Sequence, residues 1–355
     1  MLKPYFENML RTILKKGSTP EDVFSAFDSS YYPKKLYKYR TCDSEYSFDI
    51  LENDYLWADS PENFFDPFDS IVNTNQEEML FAFEKTFIKH INEFVYFFLP
   101  EEEKAKHSFE EFLNFENDFI DESGEYKRSN AWKILAETER KMSKEKKNEW
   151  ENIKQYIADS EIVPKGSEAL KLMIKELRGY LRKSAFVCCL SQNGENMKMW
   201  EDYADKYSGF MIEYSLDKCD DLLLKTSLCR MFPVKYYKRI PKFDFSDIIE
   251  WCVQKVLFDK NTDILNAMVE LYKQLLYKKF EYASEEEWRI IVSKNESQRI
   301  EFPFASAVYA GYKITEENFE KLKNICDKKG IPLYKQELDS LGGEFVYYSI
   351  DVSED

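Results

Sequence analysis

The residues best suited to chemistry lie in an acidic run. Glutamate occupies positions 285 to 287, directly before the mainly apolar run WRIIV at 288 to 292. If a strand begins at about Glu285, period-two alternation places Glu285, Glu287 and Arg289 on one face. A Glu-x-Glu pair at a strand's start can hold a ribose hydroxyl and stabilise positive charge on a sugar carbon. Glu285 and Glu287 are therefore candidate catalytic residues; Glu287 is the principal candidate, and Glu285 is its partner, which orients Glu287 or an acceptor group. The alternative is a solvated charge run in which Glu287 and Arg289 form an ion pair.

A second block alternates cations with tyrosines. Tyr37 and Tyr39 point to one face of a predicted strand, and Lys38 and Arg40 point to the other. Cations on a central strand without an obvious acidic neighbour indicate an anion site, for example for a diphosphate. A cross-strand ion pair is the alternative interpretation.

A third block joins a buried strand to a short helix. The apolar run 185–190 ends in Ser191, which places a hydroxyl at the strand's C-terminal end. The helix predicted over 197–205 carries Trp200 and Tyr203. These two rings either pack in the core or stack against a nicotinamide or adenine ring. Ser191, Trp200 and Tyr203 are candidate ligand-binding residues.

The sequence offers little for a metal. Asp66 and Asp69 bracket Pro67 and could cap a turn or bind a metal; a turn is the favoured interpretation. The two histidines, His90 and His107, have no other candidate ligand at useful spacing, and the seven cysteines show no paired-ligand spacing. No metal site is expected.

Composition narrows the class of protein. The chain has 355 residues, 50 Lys and Arg against 66 Asp and Glu, and a net charge of −16, a field that repels nucleic acid and anionic membranes at long range. Its apolar runs are too short to cross a bilayer, and the N-terminus has no signal-peptide core. With 10 glycines there is no phosphate-binding loop or dinucleotide fingerprint. We expect a cytoplasmic protein that does not contact membranes.

The pattern of elements indicates an α+β fold in a single domain, 1–355. Between about residues 76 and 183, glycine and proline are scarce and apolar residues recur with helical period, which predicts a helical insertion. Residues 245–280 are also predicted to be mainly helical, and a further helix is predicted to be capped by Thr315 and to end at Gly330. Strands are predicted on both sides of the insertion, over 34–42, 55–58, 185–190, 209–214, 288–293, 299–304, 307–310 and 333–336.

Beyond individual blocks, the chain resembles the domain-of-unknown-function family numbered 2971. The resemblance covers nearly the whole length outside the insertion. The conjunction and order of MW..YA, G..IEY and E.EWR make it specific. The pieces that carry it are LYKYR (36–40), LWADSPENFFDPFD (56–69), CLSQNGENMKMWEDYADKYSGFMIEY (189–214), EEEWRIIV (285–292) and AVYAGYKITEENFEKL (307–322).

The order of these blocks is also similar to that of ADP-ribosyltransferase-fold proteins. That resemblance implies a split β-sheet core and NAD as the substrate. It also implies that Lys38 or Arg40 contacts NAD, that Ser191 braces the nicotinamide ribose, and that Glu285 and Glu287 are catalytic. Related families are linked to phage defence and toxin systems. The implied partner is a macromolecular acceptor, either protein or nucleic acid.

Three functions therefore remain open from the sequence. The first is an NAD-consuming ADP-ribosyltransferase or NAD glycohydrolase. The second is a non-catalytic sensor or interaction protein of a defence system, with the helical insertion as its binding surface. The third is a metal-dependent nuclease built from Asp66, Asp69 and the glutamate cluster, against which the acidic field weighs.

Overall fold

The structure is a computed structural model of the full chain. Most of the predicted insertion at 76–183, including His90 and His107, lies outside the residues that the structure describes. The described residues are 2–64, 66–73, 82, 86, 175–176, 179–217, 221–258, 263–338 and 345–350.

Two compact units divide the chain. One comprises residues 1–71, 181–241 and 272–355, and the other comprises residues 72–180 and 242–271. Residues 242–271 are thus grouped with most of the predicted insertion, although they follow it by about sixty positions. In the second unit, the Phe243 amide donates to the Asn73 carbonyl at 2.9 Å. All the candidate site residues lie in the first unit.

The described helices are mostly short, and several begin and end at clear capping residues. The last of them begins at Thr315, whose side chain accepts from the Asn318 amide, and ends at Gly330 in the left-handed conformation. That confirms the helix predicted from the sequence. None of the described helices is long and apolar enough to span a bilayer. The helices are α1 Pro4–Leu14, α2 Pro20–Ser25, α3 Glu45–Glu52, α4 Met197–Tyr203, α5 Leu222–Leu228, α6 Ser246–Phe258, α7 Leu265–Lys273 and α8 Glu316–Lys329.

Eight of the twelve described strands form one mixed sheet in the first unit, in the order β12-β11-β10-β4-β1-β3-β8-β5. Within it β10 and β11 are parallel and the other neighbours are antiparallel. Strand pairs β2–β9 and β6–β7 are separate. The strands are β1 Lys35–Arg40, β2 Tyr55–Trp57, β3 Ala185–Ser191, β4 Phe210–Ser215, β5 Met231–Pro233, β6 Lys235–Tyr237, β7 Tyr277–Lys279, β8 Glu287–Ser293, β9 Arg299–Glu301, β10 Ala305–Ala310, β11 Leu333–Leu338 and β12 Phe345–Ile350.

The large sheet narrows sharply between β1 and β3. These strands share a single residue pair, Tyr37 with Ser191, whereas β1 pairs with β4 along its whole length and β3 pairs likewise with β8. The resemblance to ADP-ribosyltransferase-fold proteins implied a split β-sheet core; the structure has one large sheet, whose two halves meet at this single residue pair. The α+β class is confirmed. Beyond Tyr37 and Ser191 the two strands separate, so their polar groups there need other partners.

The acidic run differs locally from the prediction. Glu285 does not begin a strand; it ends a 3₁₀ helix, Phe280–Glu285, and β8 begins at Glu287. Between them Glu286 adopts the left-handed conformation with φ of 45°. Strand β7 also interrupts the region predicted to be helical over 245–280. Both differences matter for the site, because they determine where the glutamates and a neighbouring lysine point.

Candidate functional site

A cavity of about 440 Å³ lies where the two halves of the sheet separate. This volume is within the usual range for small-molecule sites. The three sequence blocks all reach it, although they are far apart in the chain. Its lining combines four cations, five carboxylates and several aromatic rings. The residues that line it are Tyr37, Lys38, Tyr39, Arg40, Trp57, Asp59, Asn63, Phe64, Asp66, Asp69, Val187, Cys189, Leu190, Ser191, Met199, Tyr203, Lys278, Tyr282, Glu285, Glu287 and Arg289.

Arg289, on β8, is the centre of a buried charge cluster. Its side chain is fully buried, and its two terminal nitrogens donate to the two carboxylate oxygens of Asp69 at 2.8 and 2.7 Å. Its Nε donates to Glu287 at 2.7 Å. The planar guanidinium suits this two-pronged contact with a carboxylate. Glu287 and Arg289 therefore form an ion pair, but within the core and not on a solvated surface.

Lys278, on β7, ties the two glutamates together. Its Nζ lies 2.6 Å from Glu285 Oε2 and 3.0 Å from Glu287 Oε2, and 3.9 Å from an Asp69 oxygen. The lysine and all three carboxylates are buried. Buried charges are tolerated when they are paired and hydrogen-bonded, as these are. The cluster of Asp69, Lys278, Glu285, Glu287 and Arg289 is called the charge cluster below.

The two glutamates differ in their electrostatics. Burial raises the pKa of Glu285 above its ordinary value, and the attraction of Lys278 offsets this only in part. Burial would raise the pKa of Glu287 as well, but Arg289 and Lys278 hold it well below its ordinary value. Burial opposes the charge of Lys278, yet Glu287 and Glu285 raise its pKa. Glu287 is therefore a fixed anion, whereas Glu285 is the carboxylate more easily protonated.

The cationic side of the cavity is formed by β1. Lys38 Nζ donates to the Cys189 carbonyl of β3 at 2.6 Å, which satisfies a polar group where the two strands have separated. Arg40 lines the same cavity, and its buried Nε has no hydrogen-bond partner among the described residues. A buried donor without a partner is rare in a folded protein and calls for an explanation. A bound anion would supply one.

Ser191 lies at the junction of the two half-sheets, and its hydroxyl is already engaged. It donates to the Glu285 carbonyl at 2.6 Å and accepts from the Asn193 amide at 3.0 Å. The side chain is buried. Ser191 therefore fixes the backbone next to the acidic run, and a contact with a ligand would need its remaining hydrogen-bonding capacity.

Trp200 and Tyr203 belong to the same helix, α4, but lie in different surroundings. Tyr203 lines the cavity, and its hydroxyl lies 3.4 Å from Glu285 Oε1. Trp200 does not line it; the ring is buried between Tyr39, edge-on at 5.4 Å, and Tyr207, stacked at 6.1 Å. This position corresponds to core packing, the alternative considered for Trp200 in the sequence.

The two aspartates near Pro67 have different roles. Asp66 caps a turn, since its side chain accepts from the Phe68 amide at 2.8 Å. Asp69 is held by Arg289, and Arg182 donates to the carbonyl of Asp69 at 2.7 Å. Among the described residues, no three His, Cys, Asp or Glu side chains are arranged to hold a metal. The carboxylates of the cluster are instead paired with cations.

Some residues of the site were missed in the sequence. Lys278 lies in LLYKKFEY, a stretch predicted to be helical, so nothing indicated that it would meet the acidic run. Tyr236, on β6, accepts a hydrogen bond from the Glu287 amide at 2.8 Å, and Tyr282 lines the cavity. A lysine inside an apolar run was the available signal for Lys278, because such a cation requires a buried counter-charge.

Comparison with protein families gives one match. Residues 199–290 match the model of the family described as "Protein of unknown function (DUF2971)". The match supports the resemblance to this family that the sequence blocks indicated. It spans α4 to β8, and so includes Tyr203, Lys278 and both glutamates of the charge cluster, but neither β1 nor Ser191. Searches of curated proteins and of solved structures found no match.

Proposed function

We propose that this protein consumes NAD, either as an ADP-ribosyltransferase or as an NAD glycohydrolase, in the cavity at the sheet junction. The observation that carries the proposal is convergence. Arg40, with its unpartnered buried nitrogen, lines the same cavity as Glu285 and Glu287. A diphosphate requires a cation, and cleavage at a ribose carbon benefits from a carboxylate.

In the proposed reaction, the bond between ribose C1′ and the nicotinamide nitrogen breaks, and both electrons leave with nicotinamide. The nucleophile of water or of a macromolecular acceptor then bonds to C1′ and loses a proton. Glu285 is the better proton acceptor, because its pKa is raised and the hydrogen bond that its Oε1 accepts from the described residue Tyr203 is long, at 3.4 Å. Glu287 acts as a fixed negative charge near the developing positive charge on the ribose.

From the sequence, Glu287 was the principal catalytic candidate, whereas Glu285 is proposed here as the proton acceptor. Its oxygens are within 2.7 Å of Arg289 and 3.0 Å of Lys278, so little of its capacity remains for a substrate proton. Glu287 is better placed to orient Lys278, which in turn holds Glu285. Both residues remain in the proposed machinery.

The test is nicotinamide release from labelled NAD, with host lysate supplied as the source of acceptor. We expect Glu285→Gln to lower turnover roughly 10²–10⁴-fold, the usual contribution of a general acid or base. Arg40→Ala should weaken binding of ADP-ribose. Arg239→Ala, which removes an exposed arginine outside the cavity, is the matched control.

Two outcomes would contradict the proposal. If Glu285→Gln releases nicotinamide as fast as the wild type, the catalytic assignment is wrong. If the wild type is silent with lysate and does not bind ADP-ribose, the sensor or interaction protein becomes the better interpretation. The toxin or phage-defence setting is part of the same proposal, and expression in a phage-challenged host tests it separately.

A further inference from the structure

A second cavity, of about 420 Å³, shares the lining residue Tyr37 with the first. It lies beside the segment that follows β3, outside the charge cluster. The described residues that line it include three tyrosines and two glutamates. Its lining comprises Tyr37, Gln192, Asn193, Gly194, Glu195, Met211, Glu286, Tyr309 and Tyr347.

The aromatic walls of this second cavity are well supported. The Tyr309 and Tyr347 rings meet nearly at right angles, with 5.2 Å between centroids, and Tyr334 stacks on Tyr309 at 5.0 Å. Tyr37 lies directly on Gly194, where an added Cβ would come within 2.8 Å of the ring. These contacts support the rings that form the aromatic part of the lining.

The ionisable side chains among the described residues of the lining, tyrosines aside, are acidic. They are Glu195 and Glu286, and no lysine, arginine or histidine is among these described residues. The left-handed conformation of Glu286 explains why this residue lines the second cavity, whereas its neighbours Glu285 and Glu287 line the first. Behind Tyr309, the buried Glu213 accepts from the tyrosine hydroxyl at 3.1 Å and is paired with Lys35.

We propose that this second cavity binds an organic cation, such as a trimethylammonium or guanidinium group. Aromatic rings attract cations through their negative faces, and two carboxylates add to that attraction because the described part of the lining holds no cation to neutralise them. Electron-rich rings and negatively charged carboxylates are the groups that bind such a cation. The inference stands independently of NAD chemistry in the first cavity.

The experiment compares choline with 3,3-dimethylbutan-1-ol, its neutral isostere, by titration calorimetry on the full chain; guanidinium-bearing N-acetylarginine amide is a third probe. At least one cation should bind about fivefold tighter than the isostere, since shape is matched and only charge differs. The double variant Glu195→Gln/Glu286→Gln should weaken that cation roughly tenfold. Glu320→Gln, an exposed glutamate outside the cavity, should leave binding unchanged.

Removal of two glutamates could weaken cation binding merely by changing the net charge of the protein. A third variant, which leaves the charge unchanged, distinguishes that explanation from a local site. Tyr347→Leu retains an apolar wall but removes a ring, so it should also weaken the cation and leave the isostere unaffected. Circular dichroism checks that each variant is folded. Equal binding of cations and isostere, or a double variant that binds as tightly as Glu320→Gln, would overturn the proposal.

Discussion

At the scale of single residues, the charge cluster combines three carboxylates with two cations, and all five side chains are buried. With every group ionised, the sum is one net negative charge. A buried pair does not by itself stabilise a fold greatly, because desolvation opposes the attraction. Removing one partner is different, since it leaves a buried charge without compensation.

Glu287→Gln should therefore destabilise the protein more than Glu285→Gln does. Glu287 compensates both Arg289 and Lys278, whereas Glu285 is paired with Lys278 alone among the cations that the structure describes. We expect a loss of up to about 3–5 kcal/mol for Glu287→Gln. Urea denaturation of both variants at neutral pH measures the difference. Equal losses would show that the network does not partition as the contacts indicate.

The two glutamates should also give opposite pH dependences of stability. The pKa of Glu287 is lowered on folding, so its stabilisation is present above its ordinary pKa and is lost as pH falls towards the folded value. The pKa of Glu285 is raised, so its contribution is most favourable below the ordinary value and declines as pH rises through the folded value.

Unfolding free energies measured between about pH 4 and 7 test this linkage. Relative to Glu287→Gln, the wild type should gain stability as pH rises. Relative to Glu285→Gln, it should lose stability over the same interval. Differences of the same sign for the two variants would contradict the assigned pKa directions.

At the scale of elements, the approach of β4 to β1 depends on a glycine. An added Cβ at Gly209 would lie 2.0 Å from the Arg40 carbonyl oxygen and 3.0 Å from that of Ala204. Both neighbours are backbone, so neither can move aside as a side chain would. The end of β1 that carries Arg40 can therefore lie this close to the segment before β4 only because residue 209 is a glycine.

Gly209→Ala should cost more than about 2 kcal/mol of stability, since overpacking against backbone forces the strands apart. Gly17→Ala is the comparison: nothing lies within 4 Å of its added Cβ, but its φ of +84° is unfavourable to alanine. That change should cost only about 1 kcal/mol. Thermal melting of both variants checks the order, and a milder effect at Gly209 would contradict the geometry.

The substitution Trp200→Ala, in helix α4, should lower the free energy of unfolding of the protein. Trp200 is buried against Tyr39 and Tyr207, and truncation of such a ring costs about 3–5 kcal/mol. Trp200→Phe retains most of the packing and should cost less. An unchanged melting temperature together with lost ligand binding would instead assign Trp200 a direct role at the ligand.

At the scale of the whole molecule, the sequence predicted the elements better than their assembly. Strand β3 and the capped helix α8 were predictable because apolar runs and capping residues are local signals. Strands β5, β6, β7 and β12 were not predicted, since short segments depend on partners distant in sequence.

The site was partly predictable for the same reason. Glu285, Glu287 and Arg40 were identified because charges beside apolar runs are conspicuous in any sequence. The pairing of Asp69 with Arg289 spans 220 positions, and Lys278 reaches the glutamates through a strand predicted as helix. Such contacts arise from topology, which residue patterns alone do not specify.

Tyr37 lines both cavities, and a shared wall residue has a thermodynamic consequence. If a ligand in one cavity shifts Tyr37 from its position on Gly194, the other cavity changes too, and linkage requires each ligand to change the affinity for the other by the same factor. If ADP-ribose alters the affinity for an organic cation by some factor, the cation must alter the affinity for ADP-ribose by the same factor. One aromatic ring would then make the two binding equilibria interdependent, with no movement of the sheet itself.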